Sequence, residues 1–231
     1  MKSKVCILGS FNVDLVAKVA RFPKGGESLM AQGSSLGPGG KGANQAQAAS
    51  QAGAKVHFVS KVGTDQFSQF AMEHLSSSSI HSFKLYQSEQ EPTGSAIIYV
   101  SQENGENMIA IYSGANTTIT DEEVAELRTE LSDAGVLLVQ LENNFSATLN
   151  AMKLAQALGV RVIMNPAPLL ARGHSSPAVC GCDYPKRNGS IAAFRHRGNG
   201  YGERQACSHF HCRNGRRPRH YYHGLTRRAA L

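Results

Sequence analysis

Gly37-Pro-Gly-Gly-Lys-Gly-Ala-Asn44 is the most informative stretch of this chain, because a glycine cluster, one lysine and one asparagine stand together at a predicted helix start. Its glycines permit positive φ and carry no Cβ, so a main chain can come close to a polar ligand. A helix of small residues is predicted to begin at Lys41 and to end at Gly53, with its first N–H groups pointing back at the glycines. The stretch is therefore either a simple turn or a helix start that binds an anion or a hydroxyl-rich molecule. Gly42 stands where a Walker phosphate loop requires Ser or Thr, which excludes that motif.

Strands and helices alternate on both sides of this stretch. Predicted strands cover 4–9, 55–60, 136–141 and 160–164. Predicted helices cover 41–52, 66–75, about 120–133 with a capping box at Thr120-Asp-Glu-Glu123, and a segment that Ser146 caps and Gly159 ends. This order predicts an α/β fold, with right-handed strand–helix–strand units and a parallel sheet.

Shorter segments of β type interrupt the alternation. Two of them, 15–19 and 28–32, flank a turn at 23–26, and two others, 93–101 and 107–113, are joined through Asn104-Gly105. Asn-Gly between apolar runs is a strong hairpin signal. These segments predict a small second β unit.

Polar side chains follow several predicted strands at their carboxyl ends. They are Asn12, Asp14, Glu142 and Asn165. Each of them alone is equally consistent with a turn or cap residue. Because ligands of open α/β sheets bind beyond the carboxyl ends of the strands, four such groups near the glycine stretch predict a binding site.

Four motifs, in this order, resemble those of the ribokinase-like (pfkB) carbohydrate kinases, with the ribokinases as the nearest branch. They are Gly9-Ser-Phe-Asn-Val-Asp14, Gly39-Gly-Lys-Gly-Ala-Asn44, Val62-Gly-Thr-Asp65 and Gly114-Ala-Asn116. The resemblance covers about residues 4–168. It implies a three-layer α/β sandwich with a small β-sheet lid over a sugar. It also implies transfer of the γ-phosphoryl group of ATP, with Mg²⁺, to a primary hydroxyl of a pentose such as ribose.

The resemblance also assigns residues. It places substrate contacts at Asn12, Asp14, Gly39, Gly40, Lys41, Asn44 and Glu142. It forms the lid from about 15–33 and 93–113, and lids in this family often make a homodimer contact. The chemistry agrees with these roles, because a carboxylate accepts two hydroxyl donors and a buried polar pocket penalises a substrate that lacks them.

Three features that the family needs for phosphoryl transfer do not occur in the sequence. They are an Asn-x-x-Glu segment for Mg²⁺ and phosphate, a Gly-Ala-Gly-Asp motif with the general-base Asp, and the region that encloses adenine. Since positioning and charge stabilisation carry phosphoryl transfer, we expect the C-terminal half of the fold to be missing and this chain to be inactive. No catalytic, nucleotide-binding or metal-binding residue is assigned.

Charge divides the chain into two parts. The 231 residues carry a net charge of +7, but residues 1–179 hold 13 Lys and Arg against 15 Asp and Glu, while residues 180–231 hold 11 against 2. The tail from about 173 also contains four of the five Cys, in spacings that fit no common zinc site, and an Arg-rich run without periodicity. We therefore expect neither a metal site nor specific nucleic-acid binding. We expect a cytoplasmic protein, since no signal peptide or membrane span is recognisable and residues 1–179 contain one Cys.

A shifted reading frame explains the character of the tail. With suitable synonymous codons, Pro185–Ile191 read one nucleotide downstream becomes Pro-Asn-Glu-Thr-Glu-Ala, and Arg219–Gly224 becomes Asp-Ile-Ile-Ile-Thr. The first is the absent Asn-x-x-Glu segment and the second is a strand. We predict a frame break near Arg172 or Gly173 and a disordered, aberrant tail over 173–231. An uninterrupted frame on both strands of the gene would contradict this.

Two other functions are consistent with parts of the sequence. A non-catalytic sugar-binding or interaction module would need only the pocket and the lid. A dinucleotide-dependent oxidoreductase is the weaker alternative, because the glycines follow the lid strands rather than the first strand.

Overall fold

Two sheets organise the part of the chain that the computed structural model describes, residues 4–168 and 192–194. The strands are β1 (Lys4–Leu8), β2 (Asn12–Val19), β3 (Gly33–Gly39), β4 (Lys55–Val62), β5 (Ser82–Gln87), β6 (Ser95–Ser101), β7 (Asn107–Tyr112), β8 (Ala134–Val139), β9 (Arg161–Met164) and β10 (Ala192–Phe194). The helices are α1 (Lys41–Gln51), α2 (Gln66–Ser77), α3 (Asp121–Asp133) and α4 (Phe145–Ala157), with a 3₁₀ turn at Gly114–Thr117.

The large sheet has the strand order β10-β9-β8-β1-β4-β5, and all its pairs are parallel except β10 with β9. Successive residues of β1 point to opposite faces. Ile7 packs into a core with Phe58 and residues of α1 and α2. Cys6 packs into a second core with Leu137 and residues of α3 and α4. Helices therefore cover both faces, and the predicted three-layer α/β arrangement is confirmed.

The small sheet has the strand order β3-β2-β6-β7. β2 pairs antiparallel with β3 and parallel with β6, and β7 completes a hairpin with β6. Gly105, at the hairpin tip, has φ of 69°, as the Asn-Gly signal predicts. Every residue of β7 is exposed. One edge of this sheet, β3, leads directly into α1.

Several predicted boundaries are wrong. The strand predicted at 28–32 lies instead at β3, because seven backbone pairs with β2 outweigh the low strand propensity of a Gly- and Ser-rich segment. Asn144 rather than Ser146 is the N-cap residue of α4. β5 was not predicted at all. The capping box of α3 is present as predicted, with reciprocal bonds between Thr120 and Glu123.

The predicted aberrant tail falls outside the described residues, apart from the backbone of β10. The frame break predicted near Arg172 and the disorder predicted for 173–231 lie in that same region. Of the helices in residues 4–168, none has the length and apolarity needed to cross a bilayer.

Candidate functional site

The glycine stretch joins the end of β3 to the start of α1 by running against the link between β1 and β2. Gly40 has φ of 89°, and a Cβ there would lie 2.7 Å from the carbonyl oxygen of Ser10. A Cβ at Gly42 would lie 2.5 Å from the carbonyl carbon of Gly9. Both distances are shorter than real contacts, so only glycine fits at these positions. The glycines thus bring the start of α1 onto the carboxyl end of β1.

The first N–H groups of α1 already donate hydrogen bonds to oxygen atoms of this protein. Lys41 N donates to Glu142 Oε2 at 2.8 Å, Gly42 N donates to Ser10 Oγ at 3.4 Å, and Ala43 N donates to Ser10 O at 3.0 Å. The Glu142 carboxylate also places negative charge at the positive end of the helix dipole. These N–H groups already have acceptors within the protein, which argues against the anion-binding alternative for this stretch and leaves the other two alternatives open.

Glu142 links the start of α1 to the end of the large sheet through several polar contacts. Its Oε1 forms an ion pair with Lys41 Nζ at 2.9 Å, and its Oε2 also accepts from Ser10 Oγ at 2.5 Å. Only 9% of its side chain is exposed, against 34% for that of Lys41. A ligand at Glu142 would therefore have to share a carboxylate that already accepts three donors.

Asn12 and Asp14 lie two residues apart on β2, and their side chains therefore share one face of the small sheet. The Asp14 carboxylate lies over Gly39, where a Cβ would overlap it. Burial raises the pKa of Asp14 above its ordinary value, and the negative charge of Glu142 raises it further. Asn12 is buried. This face therefore carries a partly desolvated acceptor next to a backbone that offers no steric barrier.

The structure gathers most of the predicted site residues. Around the glycine stretch lie Asn12, Asp14, Gly39, Gly40, Lys41 and Glu142. Asn44 lies in the first turn of α1 with an exposed side chain. Asn165 stands apart: its N–H donates to Val139 O, and its buried Oδ1 has no partner among the described residues.

Two residues of this site were not assigned from the sequence. Ser10 is fully buried and caps α1 together with Glu142. Asn116 is 1% exposed and donates to Asn12 Oδ1 at 2.8 Å. The sequence signals are that Ser10 follows Gly9 and that Asn116 ends a Gly-Ala-Asn motif. Neither signal reveals which residues they bond in the fold.

Within residues 4–168 and 192–194, no group of three or more His, Cys, Asp or Glu side chains fits the Mg²⁺ that the resemblance implies.

Known proteins match this chain over most of its length. The model of the pfkB family of carbohydrate kinases matches residues 2–188. Mouse ribokinase is 39% identical over 167 residues, which are 72% of this chain and 51% of the relative. The deoxyribokinase of Salmonella typhi is 34% identical over 180 residues, 78% of this chain and 58% of the relative.

A solved structure also resembles the fold of this chain. The structure of Arabidopsis thaliana ribokinase complexed with ribose and ATP has a TM-score of 0.60 and 28% identity, over 72% of this chain and 54% of that chain. This chain spans about half the length of the curated relatives it matches. The family model covers well over half of the chain, including every residue of the described site. The chain belongs to the pfkB family of carbohydrate kinases.

Proposed function

We propose that this chain forms the sugar-binding part of an ATP-dependent carbohydrate kinase, which phosphorylates a primary hydroxyl of a pentose such as ribose. The observation that carries the proposal is the shared face of Asn12 and Asp14, opposite Gly39 and beside the Lys41–Glu142 pair. The similarity to ribokinases and a deoxyribokinase supports a pentose.

The chemistry of the site suits a polyol. Asp14 accepts hydroxyl donors, and its burial makes an unfilled acceptor costly. Lys41 Nζ is exposed enough to donate to a hydroxyl while it stays paired with Glu142. A sugar that lacks the matching hydroxyl would leave these groups unpaired, which is how such pockets discriminate.

Phosphoryl transfer is expected to fail in the 231-residue polypeptide. Its sequence contains no Gly-Ala-Gly-Asp motif and so no general-base Asp in the family's position. ATP would supply the phosphoryl group and Mg²⁺ would neutralise its charge, and the described residues contain no group of three or more His, Cys, Asp or Glu side chains that fits a metal ion. We therefore propose that this polypeptide binds sugar without turnover.

Calorimetry with ribose, with and without an ATP analogue, tests the proposal. We expect ribose to bind, and Asp14→Asn to weaken binding about tenfold or more. Asp133→Asn, an exposed carboxylate at the end of α3, is the matched control and should bind like the unsubstituted chain.

The outcomes are distinct. A folded chain that gives no ribose binding would refute the proposed function. Ribose binding without binding of the ATP analogue would favour the alternative, a non-catalytic sugar-binding or interaction module. ADP formed from ATP and Mg²⁺ in the presence of ribose would refute the proposed lack of turnover.

The small sheet is also our proposed homodimer contact. On the face opposite Asn12 and Asp14, four large apolar side chains are about half exposed: Leu36, Ile97, Met108 and Tyr112. Contiguous apolar surface of this kind marks interaction sites. Sedimentation velocity would show a dimer that Ile97→Lys dissociates, and a monomer at all concentrations would contradict this contact.

We propose a cytoplasmic location as well. Cys6, the one cysteine among residues 1–179, is buried and unpaired, and burial raises its pKa to about 12. A protonated, enclosed thiol of this kind is inert and is compatible with a reducing compartment.

A further inference from the structure

We infer that Asn116 is a positioning residue that holds the carboxamide of Asn12 so that its NH₂ group, and not its oxygen, faces the ligand. The inference rests on the proposed sugar site. It adds which atoms of that site donate hydrogen bonds to the sugar and which accept them. It assigns a role to Asn116, which touches Asn12 but is not itself a proposed substrate contact.

Backbone groups fix the orientation of the Asn116 side chain. Asn116 Oδ1 accepts from Phe11 N at 3.0 Å, and a backbone N–H can only donate. Asn116 Nδ2 faces Phe11 O at 3.0 Å and Ser113 O at 2.9 Å, and carbonyl oxygens can only accept. A flipped carboxamide would oppose like groups at all three contacts, so Asn116 has one permitted orientation.

The orientation of Asn116 determines that of Asn12. The two hydrogens of Asn116 Nδ2 are shared among Phe11 O, Ser113 O and the Asn12 atom at 2.8 Å. Because this nitrogen can donate but not accept, that Asn12 atom must be the acceptor Oδ1. Asn12 Nδ2 then points away from Asn116. This nitrogen makes no hydrogen bond within residues 4–168, and it is not among their fully enclosed unpartnered atoms.

The surroundings keep this arrangement dry and rigid. Asn12 and Asn116 are 4% and 1% exposed. The backbone of Gly94 lies over both carboxamides so closely that a Cβ there would overlap Asn116 Nδ2 and Asn12 Oδ1. Asn143 Nδ2 donates to Asn116 O at 3.0 Å, which fixes the main chain of Asn116 next to Glu142. Rotation of Asn12 would thus leave buried polar groups unpaired.

Neighbouring positions on β2 consequently offer opposite hydrogen-bond characters. Asn12 presents a donor, and Asp14 on the same face presents an acceptor. A sugar hydroxyl at Asn12 must accept there, whereas one at Asp14 must donate. The proposed site therefore favours a sugar with two hydroxyls, one that accepts a hydrogen bond and one that donates, over a ligand with a single polar group.

Asn116→Asp tests this role, because the new carboxylate still accepts from Phe11 N but no longer donates. Asn12 must then turn its NH₂ toward residue 116 and its oxygen toward the ligand. We expect the ribose dissociation constant to rise about tenfold or more in Asn116→Asp. In the Asn12→Ala background, the same substitution should change it less than about twofold, because the residue it acts through is gone. Equal losses in both backgrounds would overturn the inference.

A measurement without ligand separates this inference from the proposed function. In the unsubstituted ¹⁵N-labelled chain, the side-chain NH₂ protons of Asn116 should exchange with solvent far more slowly than those of Asn104, which lies in the exposed hairpin turn. Exchange as rapid as that of Asn104 would overturn the inference even if ribose binds. Slow exchange in a chain that does not bind ribose would refute the sugar site and leave the positioning of Asn12 intact.

If Asn116→Asp does not fold, Asn12→Asp provides the second variant. It keeps an acceptor for Asn116 and changes only the ligand-facing atom from donor to acceptor. We expect ribose binding to weaken about tenfold or more while the Asn116 NH₂ protons stay protected, with Asn104→Asp as the control for added charge. Unchanged ribose affinity in Asn12→Asp would overturn the inferred donor.

Discussion

The two sheets of this protein contain similar apolar residues but use them differently. In the large sheet, Ile7 and Phe58 are wholly buried beneath α1 and α2. In the small sheet, Ile97 and Ile109 remain 53% and 50% exposed. The large sheet therefore contributes most of the hydrophobic stabilisation, whereas the small sheet leaves large apolar side chains half exposed. Apolar residues in a strand thus indicate the strand, but not what covers it.

Truncation of an apolar side chain should show the largest difference between the sheets. Phe58→Ala removes a fully buried ring and should lower the free energy of unfolding by about 3–5 kcal/mol. Ile109→Ala, in the half-exposed β7, should lower it by less than about 1 kcal/mol. Urea unfolding followed by circular dichroism gives both values. Similar losses would mean that the small sheet is part of the stabilising core.

Two glycines of β3 differ in the space around them, so substitution by alanine should weaken sugar binding at one of them and not at the other. A Cβ at Gly39 would displace the Asp14 carboxylate, while a Cβ at Gly37 meets nothing within 4 Å. We expect Gly39→Ala to weaken ribose binding about tenfold, equivalent to about 1.4 kcal/mol, and Gly37→Ala to leave it unchanged. Calorimetry measures both affinities. Equal affinities in the two variants would show that Asp14 does not contact the sugar.

Acidification should lower the free energy of unfolding through His57, which lies on β4 of the large sheet. This is the smallest of the predicted effects. Burial lowers the pKa of His57, against the raising influence of Glu130, and Lys4 and His81 lower it further. The unfolded chain therefore takes up a proton first as the pH falls below 6.5, the ordinary value, and folded stability is lost on acidification.

His57→Asn removes this titration while keeping a nitrogen near Ser82 Oγ, which His57 Nδ1 contacts at 2.8 Å. Its free energy of unfolding should fall less between pH 7 and pH 5 than that of the unsubstituted chain. Urea midpoints at the two pH values decide this, and parallel pH profiles would contradict it. The strands of the small sheet contain no histidine and provide no equivalent titration.

Local signals predicted the elements that depend on neighbouring residues. The capping box at Thr120 and the helix start at Lys41 both act within one helical turn, and both are found. The strand that ends at Gly39 was misplaced because it is held by pairing with β2 rather than by its own propensity.

The site shows the same limit. Asn12, Asp14 and Glu142 were identifiable as polar residues near strand ends, and their motifs made the resemblance specific. The roles of Ser10 and Asn116 depend on bonds to residues more than 100 positions away in sequence. No local pattern encodes such bonds, because the fold alone brings these residues together.

The contact between Gly9 and Gly42 also limits how the sequence can vary. Main chain lies against main chain there, with a virtual Cβ of Gly42 only 2.6 Å from Gly9 Cα. Overpacking elsewhere in a core can be relieved by shrinking a neighbouring side chain. Gly42 has no such neighbour, since its nearest atoms are backbone, so a substitution there has no second-site suppressor short of moving β1 away from α1.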